Sequence, residues 1–338
     1  MLPSSTFNSE RAAGGVAWES VASGHGASRV VSRNTTFTFC STALIGAVVL
    51  LCFGAELFAR FQLQHASRIE GRTAAEWREL TSLGSNGTGQ MLVLGNSLLL
   101  MGVDIDALKR GLAPEVTCRR FVIEQTGYLD WYFGLRKIYD EGVRPAVIVV
   151  SMNARQLISE SIRGEYSAYW LMKTGDVLRA ARAARLSATA TTSLLFGNLS
   201  AYYGTRMETR KVLLKRALPP VQQLQPYLTP VAERTPLDRP EVVSLGAKRL
   251  RELNDLVSQH GGVFVFVVPA FLEEEESVYF KAAGAEAGIA PIVPLSNDDV
   301  TDADFLDGFH LNPAGASRYT AALIPLLRRA SLDAVARR

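Results

Sequence analysis

The chain has 338 residues, of which 48% are hydrophobic and 20% are charged. That is enough to bury the core of one large domain or two small ones. The net charge of +3 is too small to indicate a nucleic-acid-binding protein, and no basic stripe with interleaved aromatic residues occurs. The three cysteines and four histidines lack the spacing of a disulfide framework or a zinc site. We therefore expect no metal, no cofactor and no nucleic-acid partner.

The N-terminal region predicts a tail followed by a membrane anchor. Residues 1–36 are rich in Ser, Gly, Ala and Thr without periodicity, which is typical of a disordered segment. Residues 37–59 begin with an apolar run, and no charged residue occurs from Asn34 to Ala55. About twenty such residues match the hydrocarbon thickness of a bilayer. A cleaved signal peptide is disfavoured by the long preceding tail, and a buried core helix by the absence of anything globular before it.

Five continuous apolar runs predict β-strands in the rest of the chain, and amphipathic helices alternate with them. The predicted strands are residues 91–96, 119–127, 146–153, 263–269 and 290–296. The predicted helices are residues 105–112, 129–142, 244–262 and 312–330. Strands of this kind indicate an α/β fold in which a five-stranded parallel sheet is covered by helices on both faces.

The same pattern predicts the domain organisation. Residues 60–89 form a linker with a helix, and residues 90–330 form one domain. Residues 155–243 are too long for a simple connection, so we expect a helical insertion over one face of the sheet. Its basic cluster favours a solvated helix face over contact with lipid head groups or an anionic polymer.

Polar residues follow the predicted strands where ligands collect in parallel sheets. Ser97, Gly127 and Asn153 follow the first three strands, and Asp307 and His310 precede the last helix. Acyl transfer from serine needs a base within hydrogen-bond reach, an acceptor that orients the base, and donors for the oxyanion. Ser97, His310 and Asp307 can supply the first two requirements. The N–H groups of Ser97 and Gly127, with the Asn153 amide, can supply the third.

Other interpretations of these residues stay open at this point. Ser97 could only cap a helix, His310 could be a packed histidine, and Asp307 could be a turn residue. Asp304 is a second candidate for the carboxylate. A nucleotide-binding loop is disfavoured because "GNSLLLMG" lacks the Gly-x-Gly-x-x-Gly pattern.

Four short motifs resemble those of the SGNH (GDSL-type) hydrolase and acyltransferase superfamily, over about residues 90–330. They are Gly95-Asn96-Ser97, Gly127, Asn153 and Asp307-Gly308-Phe309-His310. Two of them depart from the family pattern: Gly-Asn-Ser replaces Gly-Asp-Ser, and Ser-Met-Asn-Ala replaces Gly-x-Asn-Asp.

The resemblance implies a fold and a mechanism. The fold would be a flavodoxin-like three-layer sandwich. Ser97 would be the nucleophile, His310 the base and Asp307 its orienting carboxylate. Ser97, Gly127 and Asn153 would form the oxyanion hole.

An anchored chain of this kind is similar to membrane-associated members that move acyl groups on cell-envelope polymers. This similarity implies an esterase or O-acyltransferase with an acyl-ester or glycan substrate, a single membrane span and an extracytoplasmic catalytic domain. A polytopic membrane acyltransferase would be its partner. The alternative is a non-catalytic SGNH-like module that binds a polysaccharide or a membrane partner.

Overall fold

The computed structural model describes residues 33–84, 87, 89–217, 237–270 and 274–336. Most of the predicted tail and the proline-rich end of the predicted insertion lie outside the described residues. The chain divides into two units, Met1–Leu51 and Cys52–Arg338.

The predicted anchor is a helix. Helix α1 (Arg33–Leu57) is followed by a π-helical turn (Phe58–Gln62) and by α2 (Leu63–Ala66). The helix begins at Arg33 and so overlaps the last residues of the predicted tail, 1–36. Residues Ser41–Ala66 form a helix long and apolar enough to cross a membrane, and its most apolar window is only 6% buried. That exposure argues against a buried core helix.

Within the described ranges the sheet has four strands, and all of their pairs are parallel. The strands are β1 (Gln90–Gly95), β2 (Thr117–Val122), β3 (Val147–Ser151) and β4 (Val263–Val267), in the order β2-β1-β3-β4. β1 and β3 are buried along almost their whole length. Their continuous apolar sequences therefore follow from burial on both faces.

Helices cover both faces of the sheet, and alternate residues of each strand enter separate cores. Leu92 and Leu94 pack into one core, while Met91 and Val93 pack into the other. The first core is closed by α3 (Arg68–Thr81), α6 (Tyr128–Asp140), α7 (Ala154–Ile158), α8 (Glu165–Leu171), α12 (Arg239–Gln259) and α13 (Glu274–Ala287). The second core is closed by α4 (Ser97–Gly102), α5 (Ile105–Leu112) and α14 (Pro313–Ala336).

The described part of the predicted insertion is helical. α9 (Val177–Ala183), α10 (Ala188–Leu199) and α11 (Ala201–Ala217) follow α8, and both α10 and α11 pack against it. A bidentate ion pair ties this region to α6, because Arg136 donates to both carboxylate oxygens of Asp176 at 2.8 and 3.0 Å.

The predicted fifth strand is not a strand in the structure. In the predicted run 290–296, Ile292 forms a single parallel bridge to Val267. Ile292 donates to the Phe266 carbonyl and accepts the Val268 N–H, and the next N–H on that side of the run would belong to position 294, which is proline. The sheet therefore stops at β4.

The second strand is shorter at its end than predicted. β2 ends at Val122, and Gln125 adopts a left-handed conformation with φ of 59°. This conformation turns the chain out of the strand, so Gly127 lies in a loop that leads into α6.

Candidate active site

Ser97 is placed by a tight junction between β1 and α4. Asn96 is fully buried and caps α4, because its Oδ1 accepts the Leu98 N–H at 3.0 Å. Ser97 is the first residue of α4 and is partly exposed. A side chain at Gly95 would meet the Ser151 carbonyl oxygen at 2.8 Å, so only glycine fits at the end of β1.

The His310 loop is closed by its own hydrogen bonds. The Leu306 N–H donates to the His310 carbonyl at 2.8 Å, and Gly308 turns the chain with φ of 72°. Asp307 Oδ1 accepts the N–H groups of His310 and Phe309 at 2.7 and 3.0 Å. These two backbone bonds fix the position of the Asp307 carboxylate independently of its contact with the imidazole.

Ser97, His310 and Asp307 form a continuous hydrogen-bonded chain. His310 Nδ1 lies 2.9 Å from Asp307 Oδ2, and His310 Nε2 lies 3.0 Å from Ser97 Oγ across 213 residues of sequence. A carboxylate only accepts hydrogen bonds, so the Asp307 contact requires the hydrogen on Nδ1. Nε2 is then the acceptor for the Ser97 hydroxyl, which is the tautomer a general base needs.

The electrostatics of Asp307 suit this arrangement. Partial desolvation opposes its ionisation, but the hydrogen bonds from the His310 ring and the two N–H groups hold its pKa below the ordinary value. The Asp307 carboxylate is therefore charged at neutral pH. Asp304 does not share this role, since it accepts from Thr301 and pairs with Arg318 at 2.7 Å.

Asn153 caps α7 and keeps one donor group available. Its Oδ1 accepts the Gln156 N–H at 2.8 Å, and its own N–H donates to Gln156 Oε1 at 2.9 Å. Within the part of the chain that the structure describes, the Asn153 Nδ2 has no hydrogen-bond partner. Because β1 and β3 are neighbours with Gly95 paired to Ser151, this amide lies beside the strand that leads to Ser97.

Gly127 is placed next to α7, but its N–H is already used. It donates to Asp130 Oδ2 at 2.9 Å and so caps α6. A Cβ at Gly127 would lie 3.0 Å from the Gln156 carbonyl oxygen, so a side chain here would require a small shift of that backbone. The oxyanion role expected for this N–H competes with its bond to Asp130.

Two site residues were not recognised from the sequence as structural links. Asn96 Nδ2 donates to the Thr126 carbonyl at 3.1 Å and joins the Ser97 loop to the Gly127 loop. Asp130 is almost fully buried, and burial raises its pKa. The Gly-x-x-Asp spacing of a capping box was the available signal for Asp130, whereas nothing in the sequence indicates that Asn96 would contact Thr126.

No three His, Cys, Asp or Glu side chains in the described ranges come together in a group that could hold a metal ion. In comparisons with known proteins, no family model and no curated protein matches this chain.

Proposed function

We propose that this chain is a membrane-anchored serine esterase or O-acyltransferase of SGNH type, which acts on an acyl ester of a cell-envelope glycan or polymer. The observation that carries the proposal is the Ser97–His310–Asp307 chain, with contacts of 3.0 and 2.9 Å. The strand order 2-1-3-4 also agrees with a flavodoxin-like sandwich, whose order is 2-1-3-4-5.

The chemistry follows from the three side chains. Ser97 Oγ attacks the acyl carbonyl carbon while His310 Nε2 takes its proton, and Asp307 stabilises the resulting imidazolium. Collapse of the intermediate breaks the ester C–O bond, and His310 returns the proton to the departing alkoxide. Water or a glycan hydroxyl then removes the acyl group from Ser97 by the reverse steps.

The oxyanion would be stabilised by the donors that the site leaves available. These are the Ser97 N–H and Asn153 Nδ2, and each donor removed from such a site costs on the order of 3 kcal/mol in transition-state stabilisation. Asn153→Ala should therefore reduce kcat by about 100-fold, with little change in KM.

Labelling with a fluorophosphonate probe tests the catalytic assignment. The wild-type chain should be labelled covalently, whereas Ser97→Ala and His310→Ala should not. Ser187→Ala and His260→Ala are the matched controls and should be labelled normally, because Ser187 caps α10 and His260 stacks on Tyr139. An unlabelled but folded wild-type chain would contradict the proposal.

A second candidate is a non-catalytic module that binds a polysaccharide or a membrane partner. The Gly127 N–H favours it, because its bond to Asp130 leaves the oxyanion hole with fewer free donors. Binding of an acylated glycan that is unchanged in Ser97→Ala, without turnover, would support this alternative.

The proposed location is a single span with the catalytic domain on the extracytoplasmic side, beside a polytopic membrane acyltransferase. One apolar helix of sufficient length supports the span, and the side and the partner come from the family resemblance. A C-terminal alkaline phosphatase fusion would be active only if the domain is exported.

A further inference from the structure

The carboxyl ends of the parallel strands form one edge of the sheet and their amino ends form the opposite edge, about the length of one helix away. α6 begins after Gly127, at the edge that carries Ser97, and ends at Asp140 shortly before β3 starts at the opposite edge. Its 13 residues rise about 20 Å. Asp140 therefore marks the edge of the sheet remote from the catalytic residues.

The chain enters the domain at this remote edge. Arg60 lines one cleft together with Lys137 and Asp140, near the end of α6. Lys173 Nζ donates to Asp140 at 2.5 Å, and Asn198 Nδ2 donates to the neighbouring Met172 carbonyl at 2.8 Å. The π-helical turn after α1 and the end of α10 thus both lie beside Asp140, at the edge of the sheet remote from Ser97.

Glu56 fixes this entry point by capping α11. Its carboxylate accepts from Ser200 Oγ and from the N–H groups of Ala201 and Tyr202, at 2.7, 2.9 and 3.0 Å. Arg60 donates to the same carboxylate at 2.7 Å. The last turn of α1 is therefore attached to the insertion by three hydrogen bonds.

From Glu56 onward the chain runs toward the catalytic edge. The carbonyl of Gln64 lies against Gly71, where a Cβ would approach it to 2.5 Å. One residue further along α3, Arg72 pairs with Glu124 at 2.7 Å, just beyond the end of β2. Glu56, which pairs with Arg60 near Asp140, therefore lies on the side of the domain away from Ser97.

The hydrocarbon boundary falls at Glu56 if the apolar helix spans a bilayer. The 22 uncharged residues from Asn34 to Ala55 rise about 33 Å, close to the hydrocarbon thickness. Five aromatic or aliphatic side chains of this region are exposed: Phe53, Phe61, Phe196, Leu199 and Tyr202 are each between 41% and 60% exposed. We call these five residues the collar.

We propose that the collar rests in the interfacial region of the bilayer and that the catalytic edge faces the aqueous phase, about 20 Å farther from the membrane. Exposed aromatic and aliphatic side chains beside a spanning helix fit a lipid interface better than water. The orientation also specifies the substrate class, and this second statement rests on the proposed function. The substrate would reach the site from water, as a soluble or polymeric glycan ester rather than an ester embedded in the bilayer.

Fluorescence quenching in vesicles tests the orientation without any assumption about activity. The full chain, with Cys40→Ala and Cys52→Ala, carries one NBD label at Leu199→Cys in the collar or at Leu306→Cys beside Asp307. Leu199 and Leu306 are matched, as they are 55% and 59% exposed. The protein is reconstituted in phosphatidylethanolamine–phosphatidylglycerol vesicles that contain a lipid with a nitroxide on its head group.

We expect the nitroxide lipid to quench the label at position 199 roughly fivefold more than the label at position 306, which lies about 20 Å farther away. Aqueous iodide should show the reverse order. Equal quenching at the two positions would overturn the orientation, as would release of the protein from vesicles by alkaline carbonate.

Turnover tests the substrate class separately. The reconstituted enzyme should hydrolyse an acetylated soluble oligosaccharide roughly tenfold faster than an acylated lipid in the same vesicles, because about 20 Å separates the catalytic edge from the bilayer surface. Faster turnover of the lipid ester would overturn the inference. If no ester is turned over and Ser97 is not labelled, the proposed function fails, while the quenching contrast still supports the orientation.

Discussion

Replacement of Asn96 by alanine should destabilise the domain far more than a surface cap substitution, because Asn96 joins two loops of the site. The change removes the bond to the Leu98 N–H at 3.0 Å and the bond to the Thr126 carbonyl at 3.1 Å. Each is worth about 1 kcal/mol, and a buried carbonyl left without a partner costs about 1–3 kcal/mol more. We expect a loss of about 3 kcal/mol in the free energy of unfolding.

Thermal unfolding of the full-length chain in detergent micelles, followed by circular dichroism, measures this effect. About 3 kcal/mol corresponds to a fall in Tm of roughly 6 °C for a domain of this size. Ser187→Ala is the control, since it removes an exposed cap of α10 and should cost about 1 kcal/mol or less. The rate of fluorophosphonate labelling should also fall in Asn96→Ala, because Ser97 is the next residue.

Asn96→Asp separates the two bonds. The carboxylate can still cap α4, but it cannot donate to the Thr126 carbonyl until it is protonated. Burial without a cation raises the pKa of such a carboxyl group. The free energy of unfolding of Asn96→Asp should therefore fall further below that of the wild type as the pH rises above about 4. A Tm for Asn96→Ala equal to that of Ser187→Ala would refute the proposed link between the loops.

Three further predictions concern single groups of the described structure. Asp307→Asn should lower kcat by about 10³–10⁴-fold. Because the pKa of Asp307 lies below its ordinary value of about 4, the ratio of wild-type to variant kcat should stay large down to about pH 4 and fall only at lower pH, where Asp307 becomes protonated. Arg136→Ala should reduce the free energy of unfolding by about 1.5–3 kcal/mol in denaturant titrations, since Asp176, which is 2% exposed, would lose two charge-assisted hydrogen bonds and keep only the contact with Arg179 at 3.6 Å; a loss under about 0.5 kcal/mol would contradict this role of Arg136. Burial raises the pKa of Cys118 to about 12, so the thiol should react with iodoacetamide at neutral pH only after unfolding, and rapid modification of the folded chain would contradict its burial.

The sequence was sufficient for the elements whose signals are local. Continuous apolar runs predicted β1, β3 and β4 close to their observed bounds, since burial on both faces leaves no polar positions in a strand. The apolar segment after Arg33 predicted a helix long enough to span a membrane, because length and composition alone decide that property. The motif around Asp307 and His310 likewise indicated a pair close in space, because residues three apart can share one turn.

Only the tertiary structure decided which groups meet and which are already occupied. The contact between Ser97 and His310 depends on how the chain packs over 213 residues. Residues 290–296 do not form a fifth strand, because extending the bridge at Ile292 along β4 needs an N–H at position 294, which is proline. The same holds for Gly127: the Gly-x-x-Asp spacing allows a capping bond to Asp130, but burial and geometry decide that the Gly127 N–H makes it.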